Sequence, residues 1–420
     1  MALSRRDFGR MALSSLMVAP FSRTLARASS DPSERKFLFI FARGGWDPSY
    51  VFAPLFDNSW VYTDPEATTA ELNGIPFVDA ESRPAVRSFF DLYGDRACVI
   101  NGFEVRSITH SVCTRLLFTG TSSVEADDFG SILAANSSED LLLPHMILSG
   151  PSYGYRYSSQ MVRMGPEGQL TDLMDGTCLT QQSPSGALPD AVLESITQSY
   201  LRDRVSQAAE EQASGWNERV RQRHARSIEN LAGLESGGYN LSLGSSSLSG
   251  QISDAIRLFS LGLSRCVTVQ HEGLFDMGWD SHATINHQSD HFQLYFEIVN
   301  DAMASLDATL SPSGRPLSEE VTVVLFSEMG RDPRINGQMG KHHWTHTSAV
   351  LVGAGVSGGQ VIGEFDQDVT SSPIDLISGG VDAAGTDLGP GNIGATLLAL
   401  GDVDPGVYLG ESEPILAAIR

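Results

Sequence analysis

A chain of 420 residues, 41% of them hydrophobic and 19% charged, is long enough for two domains or one large α/β domain. Its formal net charge of -23 repels polyanions, which argues against nucleic acid and anionic lipid as partners. The four cysteines, Cys98, Cys113, Cys178 and Cys266, share no C-x-x-C spacing, so a disulfide is allowed but not implied.

In chain order, residues 1–28 read as an export signal rather than part of the fold. "SRRDFGR" sets paired arginines before Phe8, "MALSSLMVAPF" follows as a weakly apolar run, and "ARA" at Ala26–Ala28 supplies a small-x-small cleavage site. Paired arginines with Phe two residues on resemble a twin-arginine signal, which predicts export by the twin-arginine translocase to a periplasmic or secreted location. An ordinary secretion signal is the alternative. The apolar run is too short and too polar to stay as a transmembrane anchor. Its removal takes away five arginines and one aspartate, leaving a mature charge of -27.

Five apolar runs predict strands of a buried sheet: 36–42, 97–100, 266–270, 321–326 and 348–355. Between them, residues 201–234 are charged and amphipathic, predicting one or two surface helices in an insertion around 195–260. Residues 235–250, "ESGGYNLSLGSSSLSG", read as a loop. Apolar residues at three-and-four spacing over 291–310 predict a helix packed on the sheet. Alternation of strands and helices predicts a three-layer α/β/α sandwich with a mostly parallel sheet, over a single domain from 29 to 420.

Polar, ligand-type residues follow four of these strands, and open α/β sheets bind ligands beyond the carboxyl ends of their strands. "RGGWD" (43–47) offers Asp47 behind two glycines that permit a tight turn and close backbone approach; the plain alternative is a turn with a solvated acid. "SITHS" (107–111) sets Thr109, His110 and Ser111 before an apolar helical run. A hydroxyl there is well placed to attack an esterified oxyanion, or else simply caps the helix. "GWDSHATINHQSDH" (278–291) supplies Asp280 and His282 as metal-ligand candidates, with His287 and His291 four apart on one helix face as weaker ones.

"SEMGR" (327–331) offers Glu328 as a ligand and Arg331 as an oxyanion clamp, against the alternative of a buried Glu–Arg ion pair. In "GKHHWTH" (340–346), adjacent side chains of an extended segment point opposite ways, and His343 is the preferred ligand over His342 and His346. Seven of the chain's 10 histidines fall between His271 and His346. Imidazole with carboxylate leaves zinc, manganese and calcium open as the divalent ion.

Taken together, "RGGWD", "THSVCTRLLFTG", "GWDSHATINHQ", "SEMGRDPRINGQMGKHHW", "GAGVSGGQVIGE" and "IGATLLALGDVDPGVYLG" resemble, in order and wording, the domain-of-unknown-function 1501 family of exported bacterial proteins. That family is similar in fold to the alkaline phosphatase and sulfatase superfamily. The resemblance implies one or two metal ions at the strand ends and a Ser, Thr or modified Cys that attacks a phosphate or sulfate ester. It would make Asp47 the early acidic ligand, Thr109–Ser111 the nucleophile turn, Asp280 and His282 the middle ligands and His343 the late histidine. Two departures stand out. Glu328-Met329 replaces the superfamily's Asp-His pair, and "CTRLL" lacks the proline of a sulfatase signature.

The expectation is a metal-dependent hydrolase acting on a small-molecule or glycan ester. The alternative is a non-catalytic relative that binds an envelope glycan or protein.

Overall fold

In the computed structural model, the described residues are 31–164, 191–210, 215–237, 239, 241, 243–274, 278–285 and 287–420. The expected export signal and Cys178 lie outside them, as do parts of the expected insertion and of the 235–250 loop.

The first strand, β1 (Lys36–Ala42), is buried along nearly its whole length because it carries apolar residues on both faces. Its neighbours are β7 (Cys266–His271) on one side and β8 (Val321–Ser327) on the other, both parallel to it. The sheet continues past β8 through β11 (His346–Gly353) and β4 (Ala97–Glu104) to β12 (Gln360–Ile362). Past β7 it runs through β5 (His145–Ile147) to β6 (Met161–Arg163). Of these eight strands only β11 runs antiparallel to its neighbours. Two small pairs lie apart from the sheet, β2 (Thr68–Leu72) with β3 (Ile75–Asp79) and β9 (Gly330–Arg331) with β10 (His343–Trp344).

Side chains alternate across a strand, and β1 divides accordingly. Leu38, Ile40 and Ala42 face a core shared with helices α1 (Pro84–Tyr93), α6 (Leu248–Ser260) and α7 (His287–Ala308). Phe37, Phe39 and Phe41 face a second core shared with α2 (His110–Thr119), α3 (Phe129–Ala135) and α8 (Pro390–Leu400). Helices on both faces of a mostly parallel sheet make the three-layer α/β/α sandwich expected from the sequence. Each fully buried Phe stabilises it by roughly 1.5–3 kcal/mol.

Within the stretch 201–234, the described residues lie chiefly in two helices, α4 (Ala191–Glu210) and α5 (Trp216–Ser236). The helix expected over 291–310 is α7, which buries Phe292, Tyr295, Phe296, Val299 and Met303 at three-and-four spacing. The Tyr295 hydroxyl donates to the carbonyl of Ile40 at 2.7 Å, tying this helix to β1. Among the described residues no helix is long and apolar enough to cross a membrane.

Because β1, β4, β7 and β8 all point one way, their carboxyl ends share one edge of the sheet. Antiparallel β11 begins at that edge, so the residues just before it arrive there as well. This topology is what gathers residues from four distant parts of the chain.

Candidate metal centre

Arg331 is the hub of that edge. Its side chain is fully buried, and it donates to the carbonyls of Gly45 (2.9 Å), Gly44, Lys341 (3.3 Å) and Trp279 (3.3 Å). One guanidinium thus ties together the loops after β1 and β7 and the segment entering β10. The two glycines of "RGGWD" make this approach feasible: both have positive φ, and a Cβ on Gly44 would lie 2.8 Å from the backbone nitrogen of Asp280. The expected use of Arg331 as an oxyanion clamp does not match this arrangement, since its donors are spent on carbonyls and its charge is paired with Asp280, 2.7 Å away.

Asp280 sits at the centre. His110 Nε2 is 3.3 Å from its Oδ2, while His282 Nε2 and His343 Nε2 are 3.3 and 3.4 Å from its Oδ1. His110, Asp280 and His343 bring three potential ligand atoms within 4.8 Å of one another, all half-buried. His282 Nε2 lies 2.9 Å from His343 Nε2, and its own Nδ1 is 3.3 Å from Nδ1 of His342. Three imidazoles therefore crowd one carboxylate, with a fourth, His342, against His282.

Two features fit these residues to a metal ion. Asp280 Oδ1 is a buried oxygen to which no surrounding N–H is aligned as a hydrogen-bond donor, although several nitrogens lie close. Both flanking rings are also anchored from behind. His110 donates from Nδ1 to Glu328 Oε1 at 2.8 Å, and His343 donates from Nδ1 to the Ile108 carbonyl at 2.7 Å. Each anchored ring turns Nε2 inward, as metal-binding histidines commonly do.

Charge follows this geometry. Hydrogen bonds to Asp280 and then Glu328 raise His110 to about 9. Burial pushes the Asp280 carboxyl upward, but the close approach of the His110 and His343 rings and the Arg331 charge outweigh it, holding the group well below the usual carboxylate range. Partial burial lowers His282, against the pull of Asp280.

The other expected site residues fall as follows. Asp47 is not brought into the cluster: it is 2% exposed and paired with fully buried Lys341, whose Nζ donates to Oδ2 at 2.6 Å. Its Oδ1 accepts from the Ser49 amide and hydroxyl, at 3.0 and 2.7 Å. Sequence reading named no role for Lys341, and its place between Gly340 and two histidines was the signal available. Glu328, expected as a ligand, stands behind His110 with no exposed surface.

His291, a weaker candidate, donates from Nε2 to the Leu274 carbonyl at 2.8 Å and packs on Trp279. His346 is buried at the start of β11, its ring beside the Thr345 hydroxyl.

Thr109 is the N-cap of α2 by backbone alone; its amide donates to the Ser107 hydroxyl oxygen at 3.2 Å, and its own side chain makes no cap bond. The helix ends at Gly120, which takes a left-handed conformation and donates to Leu116 O at 2.8 Å. Thr109, His110 and Ser111 line an open cleft of about 590 Å³, together with Arg43, Tyr153 and Gln270. The cleft thus shares His110 with the cluster.

Fold and site together define an α/β-sandwich protein with a histidine–carboxylate cluster at the carboxyl edge of its sheet, suited to a metal ion. A profile described as "Protein of unknown function (DUF1501)" matches residues 255–389, a stretch that holds Asp280, His282, Glu328, Arg331 and His343 and supports the family resemblance there. No curated protein matches the chain. Among solved structures, the phosphonate monoester hydrolase of Agrobacterium radiobacter is similar, with a TM-score of 0.35 and 10% identity over 90% of this chain and 78% of that one.

Proposed function

We propose that the protein is an exported, metal-dependent hydrolase of phosphate or sulfate esters with an alkaline-phosphatase-like fold, acting on a small-molecule or glycan ester. The observation that carries this reading is Asp280 Oδ1, a buried carboxylate oxygen without an aligned hydrogen bond, ion-paired with Arg331 at 2.7 Å and faced by the Nε2 atoms of His282 and His343. His110 joins that cluster to the cleft. His110, Asp280 and His343 would hold the ion, and His282 is near enough to complete the set. A divalent ion there supplies Lewis-acid polarisation of the ester oxygen.

The chain's own residues do the rest. Thr109 and Ser111 set hydroxyls on the cleft wall on either side of His110. In the reaction, one Oγ forms a bond to phosphorus or sulfur as the bond to the ester oxygen breaks. The hydroxyl proton passes to solvent, the departing alkoxide takes a proton from solvent, and water then cleaves the covalent ester. Arg331 acts by holding Asp280 and the three loops in place.

The occupied state of Arg331 favours a second reading, a non-catalytic member of the fold that binds an envelope glycan or protein. A panel of p-nitrophenyl phosphate, bis-p-nitrophenyl phosphate and p-nitrophenyl sulfate, with zinc or manganese added, separates the two. The hydrolase reading expects turnover that falls at least 100-fold in Ser111→Ala or in Thr109→Val. No turnover of any ester by metal-loaded protein would favour the binder.

The paired arginines, apolar run and "ARA" of residues 1–28 support twin-arginine export to a periplasmic or secreted location. Export of a green fluorescent protein fused to residues 1–28, lost on changing Arg5 and Arg6 to lysine, is the expected result.

A further inference from the structure

We propose that Glu328 is a positioning residue of the metal centre and not one of its ligands: it accepts a hydrogen bond from the Nδ1–H of His110 and so fixes the tautomer that presents Nε2 to the ion. This rests on the metal-centre reading above.

Glu328 follows β8 directly and is completely enclosed. Its Oε1 receives the Gly44 amide at 2.9 Å and faces His110 Nδ1 at 2.8 Å; its Oε2 receives the same amide at 3.1 Å and the Ser327 hydroxyl at 3.3 Å. Both oxygens are thus directed at protein donors. To reach the point where the Nε2 atoms meet, the carboxylate would have to abandon a buried amide and the His110 N–H, and each stranded donor carries a desolvation penalty.

The seat is built by "RGGWD", 284 positions earlier in the chain. Gly44 has φ +123°, a conformation L side chains rarely adopt, and this turns its N–H onto Glu328. The loop after β1 therefore serves the centre through its backbone, while its acid, Asp47, is paired elsewhere.

His343 is anchored in the same manner but by a neutral acceptor, the carbonyl of Ile108. A carboxylate behind an imidazole raises its basicity more than a carbonyl does, so His110 becomes the stronger donor of the two. The pair is unequal by construction.

The test uses the mature chain and Glu328→Gln. Zinc is titrated against a competing chelator at fixed pH, and ¹⁵N-histidine spectra are recorded on the zinc-loaded wild type. We expect Glu328→Gln to keep the wild-type zinc stoichiometry, with Kd weakened roughly 10–100-fold. In the wild type, His110 and His343 should both show protonated Nδ1 and metal-bound Nε2.

A folded Glu328→Gln that loses stoichiometric zinc would make Glu328 a ligand and overturn the proposal. An unchanged Kd would overturn it too, leaving Glu328 a purely structural acid. Should the variant fail to fold, the wild-type spectra decide, and Nδ1-bound zinc at His110 refutes the assignment. Wild-type protein that takes up no zinc, manganese or calcium would instead sink the metal-centre reading itself.

Discussion

The ion pair between Asp47 and Lys341 gives the sharpest test of how the site is divided between structure and chemistry. Lys341 Nζ is fully buried and makes three contacts: Asp47 Oδ2 at 2.6 Å, the Tyr62 carbonyl at 2.9 Å and Ser49 Oγ at 3.4 Å. In Lys341→Met the Asp47 carboxylate stays enclosed, with only the Ser49 amide and hydroxyl to stabilise it. In Asp47→Asn the ammonium loses its counter-charge but keeps the Tyr62 carbonyl.

Removing one partner of a buried pair costs about 3–5 kcal/mol, because an uncompensated charge remains. Unfolding entropy of about 2.1 cal/mol/K per residue over roughly 390 residues is ~0.8 kcal/mol/K, so each single variant should lower Tm by about 4–6 °C. The double variant Asp47→Asn/Lys341→Met should lose much less than the two singles combined, since neither charge is left alone. Thermal unfolding gives the stabilities, and metal analysis of the same samples gives occupancy, which should stay at the wild-type level in all three. Loss of metal in Asp47→Asn with retention in Lys341→Met would refute the reasoning and restore Asp47 as a ligand.

Three further outcomes are expected. Gly44→Ala adds a Cβ 2.8 Å from the Asp280 nitrogen at a backbone angle that disfavours side chains, costing about 1–3 kcal/mol. Titration should show zinc affinity at least tenfold weaker, and unchanged affinity would mean the Asp280 loop yields freely. Burial, helped by the nearby His291, depresses His271 to about 4, and its Nδ1 accepts the Trp279 indole N–H at 2.9 Å.

The unfolded chain binds that proton near pH 6.5 and the folded chain only near 4. This contribution to stability is therefore complete above pH 6.5 and declines as pH falls towards 4, by about 3 kcal/mol at most. Urea unfolding at pH 7 and pH 5 should show the loss, and His271→Gln should reduce the slope. Finally, Arg331→Met removes the donor shared by four loop carbonyls and should abolish metal retention together with a large share of stability. A well-folded Arg331→Met that keeps its metal would show the loops to be held by other means.

Much of the architecture is legible in the sequence because it depends on local pattern. The run 36–42 is apolar on both faces, and that alone marks a central strand of a covered sheet. β8 is nearly as apolar, and β7 carries Val267 and Val269 on one face, so the edge where their ends meet was predictable. The three-residue strands β5, β6 and β12 are too short to show any period, and the reversed direction of β11 depends on its partners rather than on its residues.

At the site, Asp280 and His343 were readable because acid and imidazole cluster there in an otherwise histidine-poor chain. His110 was visible too, but with a hydroxyl on either side it read as part of a nucleophile turn. What the sequence could not disclose is pairing at a distance. Asp47 looks like a ligand until Lys341 is seen to neutralise it, and Arg331 looks like an anion clamp until its donors are counted against carbonyls. Likewise, Glu328 looks like a ligand until its oxygens are found turned to Gly44 and His110. All three depend on contacts made only once the sheet edge has formed.

The central claim is that the crowded carboxylate at Asp280 binds a metal. The most direct measurement is elemental analysis of the natively exported, mature protein, dialysed without chelator, beside Asp280→Ala/His343→Ala. The account predicts about one equivalent of zinc or manganese per chain, absent from the double variant. A wild-type protein free of metal, and no more stable than its double variant, would contradict it.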